Sequence, residues 1–438
     1  MNGTPSSLRA NFRIKGMAMG ATARDSNFQP PDGGSRASVS TMSTNAAKFE
    51  EAKSVIHDFS IVVGGPVYDF LLRIGLVRLG LPNVMRRIVA LFAITWIPLL
   101  IFCLKDGLAT GNRVVVPLLS DYSTYGRLLF ALPLLLLAEV VIDPAIRAAV
   151  AEFVETGVIQ QDQYKEFENV LASVQRLRDS WLPETILLAI AFVPVFLFQH
   201  EWETGAVSSW HSSARALTTA GWWYAVVSAP MVRFILYRWT FRYFIWGLLL
   251  WRISRLRLHL IPTHPDRTAG LNFLSLTQAR FGVLFCAIGC AFAGRIMNSI
   301  VHESAPLASF KFLMVGFVVL SLILGLFPLL LLAPRLARVR RIGLREYGRL
   351  GNQYTEAFDR KWVHGSGVPE EPLLGTADIQ SLADLGNSYS VVQQMNIVPI
   401  TKQLAVQLAV LSALPLIPVV VTGTPAPELV NAILKMVV

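Results

Sequence analysis

The chain has 438 residues, of which 53% are hydrophobic and only 16% are charged, and its mean hydropathy is +0.49. This composition excludes an ordinary soluble domain and indicates an all-α, polytopic integral membrane protein. The net charge of +10 does not indicate nucleic-acid binding, because no basic run accompanies a recognisable binding module; in a membrane chain, basic residues mostly set orientation and contact anionic lipid.

The first 87 residues contain no crossing helix. Residues 1–45 are rich in Ser, Gly, Pro and Thr and lack an apolar core of signal-peptide length, which predicts a disordered cytoplasmic tail. Residues 46–87 have a mixed, amphipathic pattern with arginines at 73, 78, 86 and 87. We expect a juxtamembrane helix lying on the membrane surface, with these arginines at the level of the lipid headgroups.

Seven apolar segments are long enough, with their flanking residues, to cross a bilayer. They are residues 88–104, 128–142, 186–198, 222–237, 281–296, 310–332 and 404–421. The first six fall in a predicted bundle at 88–334, and the seventh falls in 403–438. The fourth is ambiguous, because apolar sequence continues to Trp251 and allows either one long helix or two short spans.

The distribution of arginines decides the orientation. With seven crossings and an N-terminus inside, the inner segments hold most of the arginines, and the outer loops hold few. A second span near 239–251 would place Arg252, Arg255 and Arg257 outside, so the pattern favours one long helix. The tail and the segment 335–402 are then expected inside, while residues 204–213 and the C-terminus are expected outside.

Two amphipathic helices are predicted on the cytoplasmic side. Residues 162–178 place apolar side chains at helical spacing opposite charged ones. Residues 335–362 continue from the sixth crossing into the helical segment 335–402 and carry arginines on neighbouring turns. These arginines are interpreted either as an anchor to anionic lipid or as a surface that binds an anionic ligand or the acidic stretch that follows.

The sequence LHLIPTHPDRTAGLNFL lies in a predicted cytoplasmic loop, residues 255–274, which we call the HPD loop. His259, His264 and Asp266 are residue types that bind divalent metals, but their spacing and Pro262 exclude the usual helical arrangement, so neither a metal nor another cofactor is assigned. Asp266 is more simply interpreted as a carboxylate that caps a turn, and Gly270 as a position of positive φ.

The HPD loop, the stretch LLGTADIQSLADLGNSYSVVQQMNIVPIT and the closing ALPLIPVVVTG resemble a group of uncharacterised bacterial polytopic membrane proteins. In that group an HPD-x-x-x-GL loop precedes one membrane helix and a DIQSLADL-type segment precedes the last. The resemblance covers residues 81–438 and implies no activity. It implies one functional surface made of His264, Pro265, Asp266, Gly270, Asp378, Ser381, Asp384 and Asn387. We therefore expect the HPD loop to dock against residues 376–387.

Charged residues inside the predicted bundle form a second candidate set. Glu139, Asp143 and Arg147 recur every four residues and share one helix face. The remaining members are Glu184, Arg233 and Arg242. Either these groups pair across helices for structural reasons, or they line a polar pathway that opens to the cytoplasm. The first alternative predicts that the acidic face pairs with Arg233 or Arg242.

Three classes of function remain open. A transporter or channel with a polar cytoplasmic vestibule agrees best with the charged residues in the bundle. The alternatives are a membrane-embedded sensor or scaffold that binds a cytoplasmic partner, and a membrane enzyme acting on a lipid. No nucleophile and base are recognisable together, which argues against catalysis. The expected location is the bacterial inner membrane, in contact with lipids, and a homo-oligomer is left open.

Overall fold

A computed structural model of the chain describes residues 59–76, 84–111, 113–197, 208–213, 216–364 and 377–423. The predicted tail at 1–45 and the predicted outer C-terminus beyond residue 423 lie outside these ranges, as do residues 204–207 of the predicted outer loop at 204–213.

The described residues are helical apart from one short hairpin and the connecting loops. The helices are α1 (Pro66–Arg73), α2 (Val84–Asp106), α3 (Tyr122–Glu155), α4 (Tyr164–Arg178), α5 (Trp181–Leu197), α6 (219–253), α7 (Phe273–His302), α8 (Leu307–Leu330), α9 (Ala333–Phe358), α10 (Ala377–Gln393) and α11 (Lys402–Gly423). Strands β1 (Ser212–Ser213) and β2 (Ala216–Leu217) pair antiparallel. The predicted all-α class is confirmed.

Five helices are long and apolar enough to cross a membrane: α2, α3, α7, α8 and α11. The other two predicted crossings stay predictions. Helix α5 has 17 described residues and is too short to qualify by itself. Helix α6 is long, but its arginines reduce the apolar character of the window.

Helix α6 is one uninterrupted helix, as the distribution of arginines favoured. Its parts are Thr219–Trp223, the π-helical Tyr224–Ser228 and Ala229–Ile253. At 1.5 Å per residue it is about 52 Å long, more than a bilayer core requires. The Trp239 indole donates to the Leu135 carbonyl of α3 at 2.7 Å, and the Tyr243 hydroxyl donates to the Leu324 carbonyl of α8 at 2.6 Å. Helix α6 therefore runs among the apolar spans.

Consecutive long helices alternate in direction and define two ends of the bundle. At the first, the Tyr122 amide donates to Asn298 at 3.2 Å, and the β-hairpin packs nearby; we call this the hairpin end. At the second, the Ser275 hydroxyl donates to the Pro399 carbonyl at 2.5 Å beside the HPD loop; we call this the HPD end. An apolar cluster that includes the buried Trp210 closes around the loops of the hairpin end.

Close packing of α3 on α7 depends on two glycines. A Cβ at Gly126 would lie 2.5 Å from the carbonyl oxygen of Cys290, and a Cβ at Gly294 would lie 2.5 Å from the carbonyl oxygen of Tyr122. Small residues permit such backbone approach between membrane helices. The stretch around Cys290 therefore lies at a tight helix interface.

The amphipathic helices lie at the HPD end. Helix α4 buries Phe167, Leu171 and Val174, the apolar face predicted from the sequence, and packs against α6. Helices α9 and α10 pack against each other, and the Arg340 guanidinium donates to the Gln393 carbonyl at 2.7 Å. These helices surround the HPD loop on the side away from the long spans.

Candidate functional site

The HPD loop is organised by the carboxylate of Asp266. Its oxygens accept hydrogen bonds from the Thr268 amide and hydroxyl at 2.8 and 2.7 Å and from the amides of Gly270 and Asn272 at 3.1 Å. His264 Nδ1 lies 2.8 Å from the same carboxylate. Burial raises the pKa of Asp266, but the hydrogen bonds from Thr268, Gly270 and His264 together outweigh burial and hold the pKa below its ordinary value. Asp266 thus acts as the capping carboxylate that the sequence indicated.

The backbone of the loop follows from this capping. Arg267, Ala269 and Gly270 have φ values of 56°, 55° and 92°. Left-handed backbone is unfavourable for residues with a Cβ, so the contacts of the carboxylate stabilise a strained turn. The positive φ expected at Gly270 is present. Pro265 is exposed at the tip of the turn.

The loop docks against α9 and against the end of α10. A Cβ at Gly343 would lie 2.8 Å from Pro262 and 3.0 Å from the side chain of Val392. The Asn396 amide donates to the Arg267 carbonyl at 2.7 Å. The loop is therefore clamped by the turn that follows α10.

Asp378 lies at the opposite end of α10. Its carboxylate accepts from Lys361 Nζ at 2.8 Å and from the Trp362 indole at 3.0 Å, and its carbonyl accepts from the Tyr354 hydroxyl at 3.1 Å. The hydrogen bonds from Lys361 and Trp362 hold the pKa of Asp378 below its ordinary value. Asp378 thus fixes the start of α10 to the end of α9.

The structure separates the eight residues that the resemblance placed on one surface. Ser381, Asp384 and Asn387 are exposed, and Asp384 accepts from the Gln380 amide at 2.9 Å within its own helix. About 21 Å of helix separates Asp378 from the part of α10 that touches the HPD loop. In the described ranges, no hydrogen bond or ion pair joins His264 or Asp266 to residues 377–387.

The acidic face of α3 is paired at the HPD end. Glu139 bridges two arginines: Arg242 donates to Oε1 at 2.8 Å, and Arg87 donates to Oε2. Asp143 accepts from Arg147 at 2.8 Å one turn later. The side chain of Glu139 is only 9% exposed. The expected pairing with Arg242 is therefore present, and Arg87 completes it.

Glu184 of α5 connects two further elements. Its Oε1 accepts from Arg238 of α6 at 3.1 Å, and its Oε2 accepts from the Val67 amide at 2.9 Å. Arg233 has no part in these pairs, since its guanidinium donates to the Ala191 carbonyl at 2.8 Å. The pairing that the sequence allowed for Arg233 does not occur among the described residues.

A short stretch before α1, Phe59–Gly65, lies buried against these charges; we call it the 59–65 segment. Phe59 is 0% exposed, Ser60 is 2% exposed and Ile61 is 1% exposed. The sequence predicted a surface helix here, but the described helix starts only at Pro66. The residues before it form bends, and Gly65 has φ 88° and ψ 160°. Only glycine adopts such a conformation readily, so the chain can turn from this buried stretch into α1.

Asp143 holds the 59–65 segment in place. Its Oδ1 accepts from the Ser60 hydroxyl at 2.5 Å and from the amides of Ile61 and Val62 at 3.2 and 3.3 Å. Arg178 donates to the Ser60 carbonyl at 2.5 Å. A carboxylate that accepts several hydrogen bonds in a buried site is strongly stabilised. The segment is therefore bonded to the charges of the bundle rather than laid on the membrane surface.

The 59–65 segment closes the HPD end of the α5 and α6 interface. Only about 10 Å³ remains between Ile61, Gly64, Glu184, Arg238 and Arg242. A water molecule needs at least that much space, so a solute does not pass here. Among these described side chains, the structure thus leaves no room for a solute larger than a water molecule.

The hairpin end contains an open cavity of about 400 Å³, which we call the arginine cavity. It is lined by Asp121, Ser123, Thr124, Arg127, Pro194, His211, Leu217, Gly221, Tyr224, Arg233, Arg295 and Asn298. Three arginines face one carboxylate in this set. Burial holds the pKa of His211 below its ordinary value, so this histidine adds no positive charge at neutral pH.

A second cavity of about 310 Å³ adjoins the first one. Both are lined by Arg127, Tyr224 and Arg233, and the second adds apolar side chains from α3, α6 and α7. The added residues are Leu128, Ala229, Val232, Leu236 and Ala291. The arginines therefore mark the boundary between a polar outer chamber and an apolar inner chamber.

Two π-helical stretches position the residues of this boundary. Arg127 lies in the π-helical Gly126–Ala131 and Tyr224 begins the π-helical Tyr224–Ser228. The Arg127 guanidinium donates to the Tyr224 hydroxyl at 2.7 Å. Such stretches occur often at functional sites. The sequence reasoning missed Arg127, which lies one residue before the predicted span 128–142, and Arg295, which lies inside the predicted span 281–296 and carries the same signal as Arg233, a charge within an apolar segment.

Among the described residues, no group of three or more His, Cys, Asp or Glu side chains could hold a metal ion. Comparisons of the chain with protein-family models, with curated proteins and with solved structures give no match.

Proposed function

We propose that this protein is a membrane transporter that takes up a solute from the hairpin end and releases it at the HPD end. The observation that carries the proposal is a pair of adjoining cavities at the hairpin end, combined with the nearly filled space around the 59–65 segment at the HPD end. Cavities of this size accommodate small molecules. A carrier caught with one side open has this arrangement.

The closed end supports a carrier more than a channel. The 59–65 segment is held by hydrogen bonds to Asp143, Arg178 and Arg242, which belong to three different helices, and Glu184 of a fourth helix accepts from Val67 just after the segment. Movement of α3 would break the three bonds of Asp143 to this segment together. A segment held in this way can close or open one side in a concerted step.

The orientation of the protein is part of the proposal. The arginine-rich helices α4 and α9 lie at the HPD end, and the positive-inside tendency favours the cytoplasm for that end. The arginine cavity then opens to the outside, and the protein is a multi-pass protein of the bacterial inner membrane with its N-terminus inside.

Cysteine labelling from each side of the membrane tests this proposal. In a background without Cys103, Cys286 and Cys290, single cysteines replace Leu236 in the inner chamber and Ile245 behind the 59–65 segment. We expect an impermeant maleimide to label Leu236→Cys from the outside in intact cells. We expect Ile245→Cys to be protected in right-side-out and inverted vesicles.

Asp143→Ala removes the carboxylate that holds the 59–65 segment. We expect this variant to expose Ile245→Cys from the cytoplasmic side and to lower labelling of Leu236→Cys from the outside, as alternating access requires. Glu166→Ala, on the exposed face of α4, is the matched control. Unchanged protection of Ile245→Cys in Asp143→Ala would contradict a closing role for the segment. Simultaneous labelling from both sides would indicate a channel.

A further inference from the structure

We infer that the two chambers at the hairpin end bind an anionic group joined to an apolar body, with the anionic group between Arg127 and Arg233. The inference names the class of solute, and it rests on the proposed function for the movement of that solute after binding. The shared chemistry is that of an organic carboxylate or phosphate. It can belong to a soluble organic acid or to an anionic lipid.

The charge of the site is the first reason. The HPD end pairs its buried arginines with carboxylates, whereas Arg127 and Arg233 donate to a hydroxyl and a carbonyl. In the part of the chain that the structure describes, no carboxylate lies within ion-pair distance of either one. An unpaired cation inside a bundle is unfavourable. A bound anion would provide the missing negative charge.

The one acidic residue of the cavity, Asp121, forms no ion pair with Arg127 or Arg233 among the described residues, because other groups occupy its oxygens. Asp121 accepts from the amides of Ser123 and Thr124 at 3.0 and 3.2 Å, from the Thr124 hydroxyl at 2.5 Å and from the Trp210 indole at 2.9 Å. These bonds cap the start of α3 and fix Trp210. Asp121 is therefore a structural carboxylate of the wall.

The donors that remain on the two arginines are the second reason. A guanidinium has five N–H groups in a planar fork, and the hydrogen bonds to Tyr224 and Ala191 use one from Arg127 and one from Arg233. The fork matches the two oxygens of a carboxylate or phosphate group. Arg295 contributes at the entrance, where its side chain is 61% exposed and lies 3.8 Å from Glu303. Arg295 would attract an anion toward the cavity, and the bound anion would contact Arg127 and Arg233.

The apolar walls of the inner chamber are the third reason. Beyond the arginines these walls are Leu128, Val232, Leu236 and Ala291, which offer no polar side chain to a hydrated inorganic ion. An apolar body of the ligand would displace water from these walls and gain the hydrophobic contribution. The order of the two chambers therefore selects a ligand with one charged end and one apolar end.

The test measures binding of benzoate to the full-length protein in nanodiscs of neutral phosphatidylcholine. Thermal unfolding at increasing benzoate concentration reports the binding. Benzoate has a carboxylate on a rigid apolar ring. Benzamide keeps the ring without the charge, and acetate keeps the charge without the ring. We expect benzoate to raise the unfolding temperature and to bind at least about ten-fold more tightly than either analogue.

Arg127→Gln and Arg233→Gln should each weaken benzoate binding at least about ten-fold, because each removes a charge-assisted hydrogen bond. Arg280→Gln, an exposed arginine of α7 at the HPD end, is the matched control and should bind as the parent protein does. Equal affinity of benzoate and benzamide, or of benzoate and acetate, would overturn the inference. So would unchanged affinity in both cavity variants that retain the parent unfolding temperature.

Two further measurements identify the source of the anion and separate the two proposals. Nanodiscs with phosphatidylglycerol compete with benzoate if an anionic lipid fills the chambers, whereas unchanged benzoate affinity assigns them to a soluble acid. Uptake of radiolabelled benzoate into proteoliposomes, taken as the excess over protein-free liposomes because benzoic acid itself crosses a bilayer, tests movement through the protein. Binding without uptake would refute the transporter and leave the site intact, and uptake that Arg127→Gln and Arg233→Gln do not alter would refute the site and leave the transporter.

Discussion

Buried arginines have different partners at the two ends of the bundle. At the HPD end, Arg87, Arg238 and Arg242 each contact a carboxylate, and the chain itself fills the remaining space. At the hairpin end, Arg127 and Arg233 border open cavities and donate to uncharged groups. Charges that are paired and sealed stabilise a fold, while charges that face an open cavity remain available to a ligand. This contrast separates the arginines that stabilise the fold from the two that we propose to bind a ligand.

The largest expected effect comes from breaking a pair at the sealed end. Glu139→Ala leaves Arg87 and Arg242 without their shared carboxylate, and we expect it to lower the free energy of unfolding by about 3–5 kcal/mol. Thermal unfolding in detergent measures the loss. Glu155→Ala, exposed at the end of the same helix, should have little effect.

A double-mutant cycle tests whether Glu139 and Arg242 stabilise the protein as a pair. Arg242→Met should be strongly destabilising alone but much less so together with Glu139→Ala, because the second change removes a charge already without its partner. Strict additivity of the two changes would show that Glu139 and Arg242 do not act as a pair.

The next largest loss of stability is expected from a change in the backbone of the 59–65 segment. Gly65→Ala places a Cβ 3.3 Å from the Arg178 carbonyl at φ 88° and ψ 160°, a conformation reserved for glycine. We expect a loss of about 1–3 kcal/mol and cytoplasmic labelling of Ile245→Cys. Gly75→Ala is the control, since φ is 72° there and no atom lies within 4 Å of the added Cβ. An equal effect of both changes would mean that the segment is not tightly held.

Hydropathy and residue spacing were sufficient to predict the helical class, five apolar spans, the uninterrupted α6 and the buried face of α4. These features depend on local composition. The capping role of Asp266 was also predictable, because its partners lie within six residues in the loop. Local patterns contain all the information that such features need.

The features that the sequence did not predict join residues that are far apart in the chain. The 59–65 segment has no helical periodicity, and its burial depends on Asp143 and Arg242. The arginine cavity needs Arg127 beside Tyr224, a contact between two π-helical stretches of different helices. The placement of α10 depends on contacts of its two ends, which its spacing of polar residues does not encode.

A smaller loss of stability is expected from a substitution in the HPD loop. Asp266→Asn presents an NH₂ group to the amides of Thr268, Gly270 and Asn272, and we expect a loss of about 1–2 kcal/mol at neutral pH. Because the pKa of Asp266 is lowered in the folded protein, its contribution is present above the ordinary value of 3.8 and is lost as the pH falls through the folded pKa.

Thermal unfolding of both proteins between about pH 7 and pH 3 measures this dependence. The stability difference should shrink at the acidic end of the series. Asp384→Asn, exposed on α10, should track the parent protein at every pH. A difference that stays constant with pH would show that the ionised carboxylate does not provide the stabilisation.

The smallest effect is expected at Asp378, and it tests whether α10 and the HPD loop form one surface. The ion pair with Lys361 is exposed and screened by salt, so Asp378→Asn should leave the unfolding temperature unchanged. Because the structure places Asp378 far from the loop, Asp266→Asn and Asp378→Asn should act additively on that temperature. A clear departure from additivity, of either sign, would show that Asp266 and Asp378 belong to a single site. Additivity would instead leave α10 as a helix that clamps the loop only through the turn after Gln393, by the hydrogen bond from Asn396 to Arg267.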